Sequence, residues 1–520
     1  MNGSESLIKT LVNSGIDVCF TNPGTSEMHF VAALDEVDGM RCVLCLFEGV
    51  VSGAADGYAR MAGKPAATLL HLGPGLGNAL ANIHNAKKGN SPMINIVGDH
   101  ATYHLQYDAP LTSDVEGIAG SVSHWVHTAK SSQDIAKDAA RAVLEAGHNR
   151  IATLVLPADV SWGDNPNGEE PAPQVPSPAR VSVQKLEQAV QMLSSGAPSM
   201  VMIGGKEVTA EMGVMLGRLA EATGARVCLE TFPTRVARGA GRGKLEKLPY
   251  LAEYAVEHLS GVENLILLGA KSPVSFFAYP GVASVLPPSD ARQLLLASPD
   301  EDISTCLREL VKAVGADEVE PQLNVRAVPK LPQGELDVPA IAQSLAVLMP
   351  NDAVVVDDAG TATLVCYPAT ETAAPHDWLA LTGGSIGFGL PCAVGTALAS
   401  PQRKTICLEG DGSAMYTIQS LWTMARENLD VTVVIFNNHK YRILELEFLR
   451  TGARGGVPGP KAASMLDISN PGMEFVSLAK GMGVTASRAT TADEFNQQFA
   501  DAMSGTGPCL IEAIVPPLSL

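Results

Sequence analysis

The stretch Lys404–Tyr441, KTICLEGDGSAMYTIQSLWTMARENLDVTVVIFNNHKY, restricts the fold more than any other part of the chain. An apolar run, Thr405 to Leu408, leads into Gly410-Asp411-Gly412-Ser413. Ile418, Leu421, Trp422 and Ala425 then recur at helical spacing, and a second apolar run, Val431 to Phe436, closes on Asn437-Asn438. Strand, helix and strand in this order predict a βαβ unit with a right-handed crossover. The two strands then lie parallel, and both polar turns fall at the carboxyl edge of one sheet, where open α/β sheets bind their ligands.

Residue type suggests the ligand. Asp411 and Asn438 offer hard oxygens 27 positions apart, and Gly410 and Gly412 let the backbone approach closely. Mg²⁺ is usually held by one or two protein oxygens together with phosphate oxygens. The helix N-terminus beyond Gly412 offers free N–H groups to an anion. A βα turn with a capping aspartate explains GDG alone, whereas the interval and the double Asn after a buried run favour Mg²⁺ carrying a diphosphate.

Charge and cysteine usage narrow the setting. A net charge of −19 argues against nucleic acid or an anionic membrane as partner. No apolar run reaches the ~18 residues of a membrane span. The nine cysteines are scattered, and the odd count suggests a reducing, cytoplasmic location. Cys42 and Cys45 have metal-type spacing, but they sit in an apolar run, MRCVLCLF, without a second pair. They read as structural thiols in a buried strand.

Taken in order, the chain divides into three α/β units. Residues 1–165 alternate helix and strand. Ser4 is expected to cap a first helix, strands are expected near residues 18–20, 42–46, 67–70, 93–97 and 151–156, and the loop LGPGLGN is expected after His71. The glycines in GPGLG lack the G-x-G-x-x-G spacing of a dinucleotide site, so NAD is rejected. A Pro-rich linker, Asp164–Arg180, leads to a second unit at 181–318, in which Gly204-Gly205 follows a strand. Another linker leads to a third unit at 336–520. This unit echoes the first: VCFTNPGTSEMHF pairs with VVVDDAGTATLVCY, and LLHLGPGLGNALA pairs with LTGGSIGFGLPCAVG, in the same order. The expected fold is therefore α/β, with three doubly wound parallel-sheet domains of which the first and third are related.

GDGS, the interval and the closing NN resemble the cofactor motif of thiamine-diphosphate (ThDP) enzymes, and the resemblance covers nearly the whole chain. It implies that Asp411, Asn438 and the main-chain carbonyl of Lys440 hold Mg²⁺, and that Gly410, Gly412, Ser413, Gly360 and Thr361 contact the diphosphate. The first domain would grip the pyrimidine. Glu48, in LFEGVVSGAADGYAR, matches the carboxylate that contacts the pyrimidine ring nitrogen and activates the cofactor. Ile386, in TGGSIGFGLP, matches the apolar wedge under the bent cofactor, with the Gly384 carbonyl on its amino group.

On the substrate side the chain is most similar to acetolactate synthase large-subunit-like proteins and benzoylformate decarboxylases. Thr25 falls at a carboxylate-contacting position and His71 at an acid/base position. The second catalytic His of the decarboxylase is missing, because GAKSPVSFFAYPG places Phe276 or Phe277 there. His104, Gln106, Leu111, Leu446 and Glu447 are pocket candidates, with 452–461 as a closing segment. The resemblance implies decarboxylation of a 2-oxo acid followed by carboligation, in a homodimer or homotetramer with active sites between subunits. A simple aryl 2-oxo acid decarboxylase and a non-catalytic ThDP-binding homologue remain as alternatives. FAD is not expected in a chain this short.

Overall fold

In the computed structural model, which describes residues 1–518, the aliphatic runs form three sheets. The first contains β1 (Val18–Thr21), β2 (Arg41–Leu44), β3 (Ala66–Leu70), β4 (Met93–Asp99), β5 (Trp125–Thr128) and β6 (Ile151–Pro157), all parallel, in the order β2-β1-β3-β4-β6-β5. The middle of the chain supplies β7 (Ser199–Ile203), β8 (Glu207–Val208), β9 (Arg226–Leu229), β10 (Arg235–Arg238), β11 (Glu246–Lys247), β12 (Asn264–Leu268) and β13 (Arg292–Ala297). Five of these make a parallel sheet, β11-β9-β7-β12-β13. The last part supplies β14 (Ala353–Asp358), β15 (His376–Ala380), β16 (Thr405–Gly410), β17 (Val431–Asn437), β18 (Thr485–Ala489) and β19 (Cys509–Ile514). Numbered within their own unit, these six strands run 2-1-3-4-6-5 from the β15 edge, the same order as the first sheet. The duplication read from two short sequence echoes is a duplication of topology.

The middle unit is less separate than the sequence suggests. β8 and β10 leave its sheet and extend the third to eight strands, β10 running antiparallel to β15. They cover an edge that would otherwise present unpaired backbone groups. Three local expectations also change. Asn2, not Ser4, caps the first helix (Gly3–Asn13) in a capping box with Glu5, and Ser4 is buried inside it. LGPGLGN forms the opening turns of a helix, Leu72–Lys88, since Pro and Gly are tolerated where no intrahelical N–H bond is required. β2 is an edge strand, so Cys42 is exposed while Cys45 is buried.

The first and third units meet through two small-residue helices, Glu48–Ala62 and Gly389–Ala399. A methyl at Gly57 would lie 2.1 Å from the Cys392 carbonyl oxygen, and one at Gly395 would lie 1.8 Å from that of Ala54. Only glycine permits this approach. Val50, Val51, Ala54 and Ala55 thereby join one continuous core with Leu390, Cys392, Ala393 and Val394. Arg60, on the same helix, is fully buried and binds Asp56 through two bonds of 2.8 Å. It also donates to the carbonyl oxygens of Thr234 (3.1 Å) and Ala380 (2.7 Å) and to Thr382 Oγ1 (2.9 Å). One guanidinium thus ties all three parts of the chain together.

Candidate active site

β16 and β17 pair in parallel with Gly410 opposite Phe436, so Asp411 and Asn438 leave adjacent strand ends side by side. Asp411 is buried. Its Oδ1 accepts from the Gly412 N–H (2.8 Å), and its Oδ2 accepts from the N–H groups of Asn438 (3.0 Å) and His439 (2.7 Å). Asn438 Oδ1 accepts from the Lys440 N–H at 2.9 Å. Burial raises the Asp411 carboxyl from its ordinary value, and these N–H donors oppose that. A carboxylate and an amide oxygen side by side suit a hard cation such as Mg²⁺. Two helices, Asp411–Thr417 and Ser420–Arg426, replace the single one expected. β14 lies next to β16, which brings the Gly360–Ala362 turn alongside the Gly410 turn. Thr361 there is buried, as is Ser413.

Glu48 opens its helix directly after Phe47 and is 7 % exposed. Asn22 Nδ2, beyond β1, donates to Oε1 (3.1 Å), and Asn78 Nδ2, on the Leu72–Lys88 helix, donates to Oε2 (2.9 Å). A methyl at Gly75 would lie 3.2 Å from both Glu48 Oε1 and His71 Cβ, so the acid and the imidazole flank the same turn. His71 precedes that helix, and its Nδ1 lies 2.9 and 3.2 Å from the two oxygens of Glu27.

The loop 382–389 is held by side chains of both the first and the third unit. Asn85 binds it at both Ser385 groups, Nδ2 to the carbonyl (2.8 Å) and Oδ1 from the N–H (3.2 Å). Asn82 Nδ2 reaches the carbonyls of both Gly49 (2.9 Å) and Gly387 (3.2 Å). From the other side, Asp358 Oδ2 accepts the N–H groups of Gly387, Phe388 and Gly389 at 2.8, 2.9 and 3.2 Å. The Leu390 N–H points to Glu409, the strand partner of Asp358. Burial pushes Asp358 up to about 7 and Glu409 well above its ordinary value. Two buried carboxyls thus cap the Gly389–Ala399 helix and fix the half-buried Ile386 in front of it. Gly384 has φ +75°, and a methyl there would lie 2.6 Å from the Phe276 ring. Phe276 belongs to an aromatic cluster with Phe232, Tyr250 and Phe277, at centroid distances of 4.8–5.8 Å.

The remaining candidates are more scattered. Thr25 is exposed on the turn that carries Glu27. His104 and Gln106 are exposed on the 100–111 loop, Gln106 bonding the Tyr103 carbonyl and His104 lying 5.6 Å from the Tyr107 ring. Leu111 is half-buried at the end of that loop. Leu446 and Glu447 are half-buried on the helix Arg442–Arg450, with Glu447 bound to Arg450 at 3.1 Å. The 452–461 segment contains a short turn, Ala453–Gly456. Glu27, Asn22, Asn78, Asn82, Asn85, Asp358 and Glu409 went unrecognised in the sequence. The available signals were the asparagine spacing in GNALANIHNAKK and the acidic residues that end buried strands in VVVDD and ICLEG.

The chain is similar to known proteins along its whole length. Residues 1–127 match the thiamine pyrophosphate enzyme N-terminal TPP-binding domain, and residues 358–513 match the C-terminal TPP-binding domain. The Mycobacterium tuberculosis protein named as an acetolactate synthase large subunit, IlvX, is 51% identical over 519 residues, covering 100% of both chains. Benzoylformate decarboxylase of Pseudomonas aeruginosa is 28% identical over 96% of each chain. Among solved structures, the thiamine diphosphate-dependent 4-hydroxybenzoylformate decarboxylase of Rhodococcus jostii RHA1 superposes with a TM-score of 0.85, at 26% identity over 99% of each chain. With full-length similarity, both binding domains and a shared architecture, the chain belongs to the thiamine pyrophosphate enzyme family.

Proposed function

We propose that this protein decarboxylates a 2-oxo acid and joins the remaining unit to a second carbonyl compound, as its acetolactate synthase-like relatives are named for doing. The observation that carries the reading is the placement of Glu48 and Asp411 at the carboxyl edges of two sheets with the same strand order. When bound, ThDP supplies the carbanion chemistry, and the protein supplies orientation and proton control. Asp411, Asn438 and the Lys440 carbonyl would hold Mg²⁺. Gly360, Thr361, Gly410, Gly412 and Ser413 would receive the diphosphate. Ile386 would pack under the cofactor, Gly384 would offer it a carbonyl, and Glu48 would hold a proton at the pyrimidine nitrogen. His71 exchanges a proton with the substrate, with Thr25, His104, Gln106, Leu111, Leu446 and Glu447 around it.

Phe276 against Gly384 supports ligation over simple decarboxylation. An apolar ring there supplies no proton, so His71 would be the one proton donor named on the substrate side. The benzoylformate-decarboxylase reading draws on the Glu27–His71 pair alone for its proton. Glu230 argues against a flavin in the middle unit. Its Oε1 accepts the Gly205 N–H (2.6 Å) and its side chain fills the space over Gly204, where a nucleotide phosphate would lie. The nine free cysteines suit a cytoplasmic protein, and among the described residues no helix is long and apolar enough to cross a membrane. We read the assembly as a homodimer or homotetramer with its active sites between subunits.

Products formed from pyruvate and from benzoylformate, with ThDP and Mg²⁺ added, test this reading. Hydroxy-ketone products are expected to exceed free aldehyde. Aldehyde alone would establish the decarboxylase, and no CO₂ from any 2-oxo acid would make the chain a non-catalytic binder.

A further inference from the structure

The geometry points to Glu27 as the positioning residue of His71, an inference that rests on the proton-exchanging role proposed above. Glu27 lies on the turn Thr25–Glu27, and its side chain is 1% exposed against 21% for His71. The carboxylate accepts the Gly24 N–H (2.7 Å) and the Ser26 hydroxyl (2.5 Å), and faces His71 Nδ1 with both oxygens. Among the described residues no Lys or Arg forms an ion pair with it, so the imidazole is its only potential counter-charge. The slot exists because two neighbours lack side chains: a methyl at Gly24 would lie 2.0 Å from His71 Nδ1, and one at Gly98 would lie 1.9 Å from Glu27 Oε1.

The consequences follow from imidazole chemistry. A carboxylate at Nδ1 fixes the proton there, which leaves Nε2 as the nitrogen that accepts and returns a proton. Glu27 touches neither cofactor nor substrate in this scheme. It acts only through His71, setting its tautomer and orientation.

Glu27→Gln tests this, because glutamine preserves shape and an acceptor oxygen but removes the charge. The neutral His71 imidazole, followed by ¹⁵N NMR in the full-length protein without turnover, is expected to change from a single Nδ1–H tautomer to a mixture of the two, because the glutamine amide can donate to Nδ1 as well as accept from it. kcat should fall about 10–100-fold with ThDP affinity unchanged. Glu27→Asp retains the charge and should restore part of the loss, which separates this role from a folding role. In a His71→Ala background, Glu27→Gln should cost nothing further. An unchanged His71 tautomer, a wild-type kcat, or a double variant slower than His71→Ala alone would overturn the assignment. Because the tautomer is read without turnover, it stands apart from failure of the proposed reaction, which His71→Ala alone tests.

Discussion

Glu48→Gln is expected to lower kcat by about 10²–10⁴-fold while ThDP binding stays within a few-fold. The side chain keeps its length, and Asn22 or Asn78 can turn its amide to meet the new –NH₂ group, so the pocket is retained. In the role proposed for Glu48, what is lost is the ability to take and return a proton at the pyrimidine nitrogen, whereas the proposed binding contacts of Asp411 and Asn438 at the diphosphate end are untouched. Steady-state kinetics with calorimetric titration of ThDP would separate the two contributions. Turnover at the wild-type rate would remove Glu48 from the catalytic account.

Arg60→Ala is expected to destabilise the protein by about 3–5 kcal/mol, because it leaves Asp56 as an uncompensated buried charge. Both side chains are fully shielded from water, and the guanidinium also satisfies two carbonyls and a hydroxyl from the middle and third units. The loss should therefore loosen the junction between units as well as one helix. The midpoint of chemical unfolding reports it. Replacing both residues by apolar ones of similar volume should recover a large part of the loss, since an apolar pair leaves no charge to desolvate. A single-variant cost below about 1 kcal/mol would contradict this, as that is the range of an exposed ion pair.

The fold was legible where chemistry repeats along the chain. Runs such as Val431–Phe436 and Met93–Val97 are continuous and aliphatic because both faces of a parallel sheet are covered, and they appear as β17 and β4 with ends shifted by one or two residues. What the sequence concealed depends on contacts between distant segments. β8 and β10 are too short to have a period, and they become strands only because β15 offers an edge. LGPGLGN reads as a loop until Glu48 and His71 are seen packed against Gly75. In the site, Asp411, Asn438 and Glu48 lie in local motifs. Asp358, Glu409 and the asparagine clamp do not, because each is defined by a backbone group more than 15 residues away. Glu27 acquires meaning only beside His71, 44 positions further on.

In the assembly proposed above, with active sites between subunits, Asp411 of one copy and Glu48 of its partner would hold one cofactor. Heterodimers of Glu48→Gln and Asp411→Ala chains, co-expressed with two different tags and isolated through both, test it directly. In a two-fold assembly with shared sites, one site carries both substitutions and the other carries neither. The heterodimer should then recover about half the wild-type activity per dimer, although each parent is inactive. A heterodimer as inactive as its parents would place Glu48 and Asp411 in the same chain's site and contradict the account.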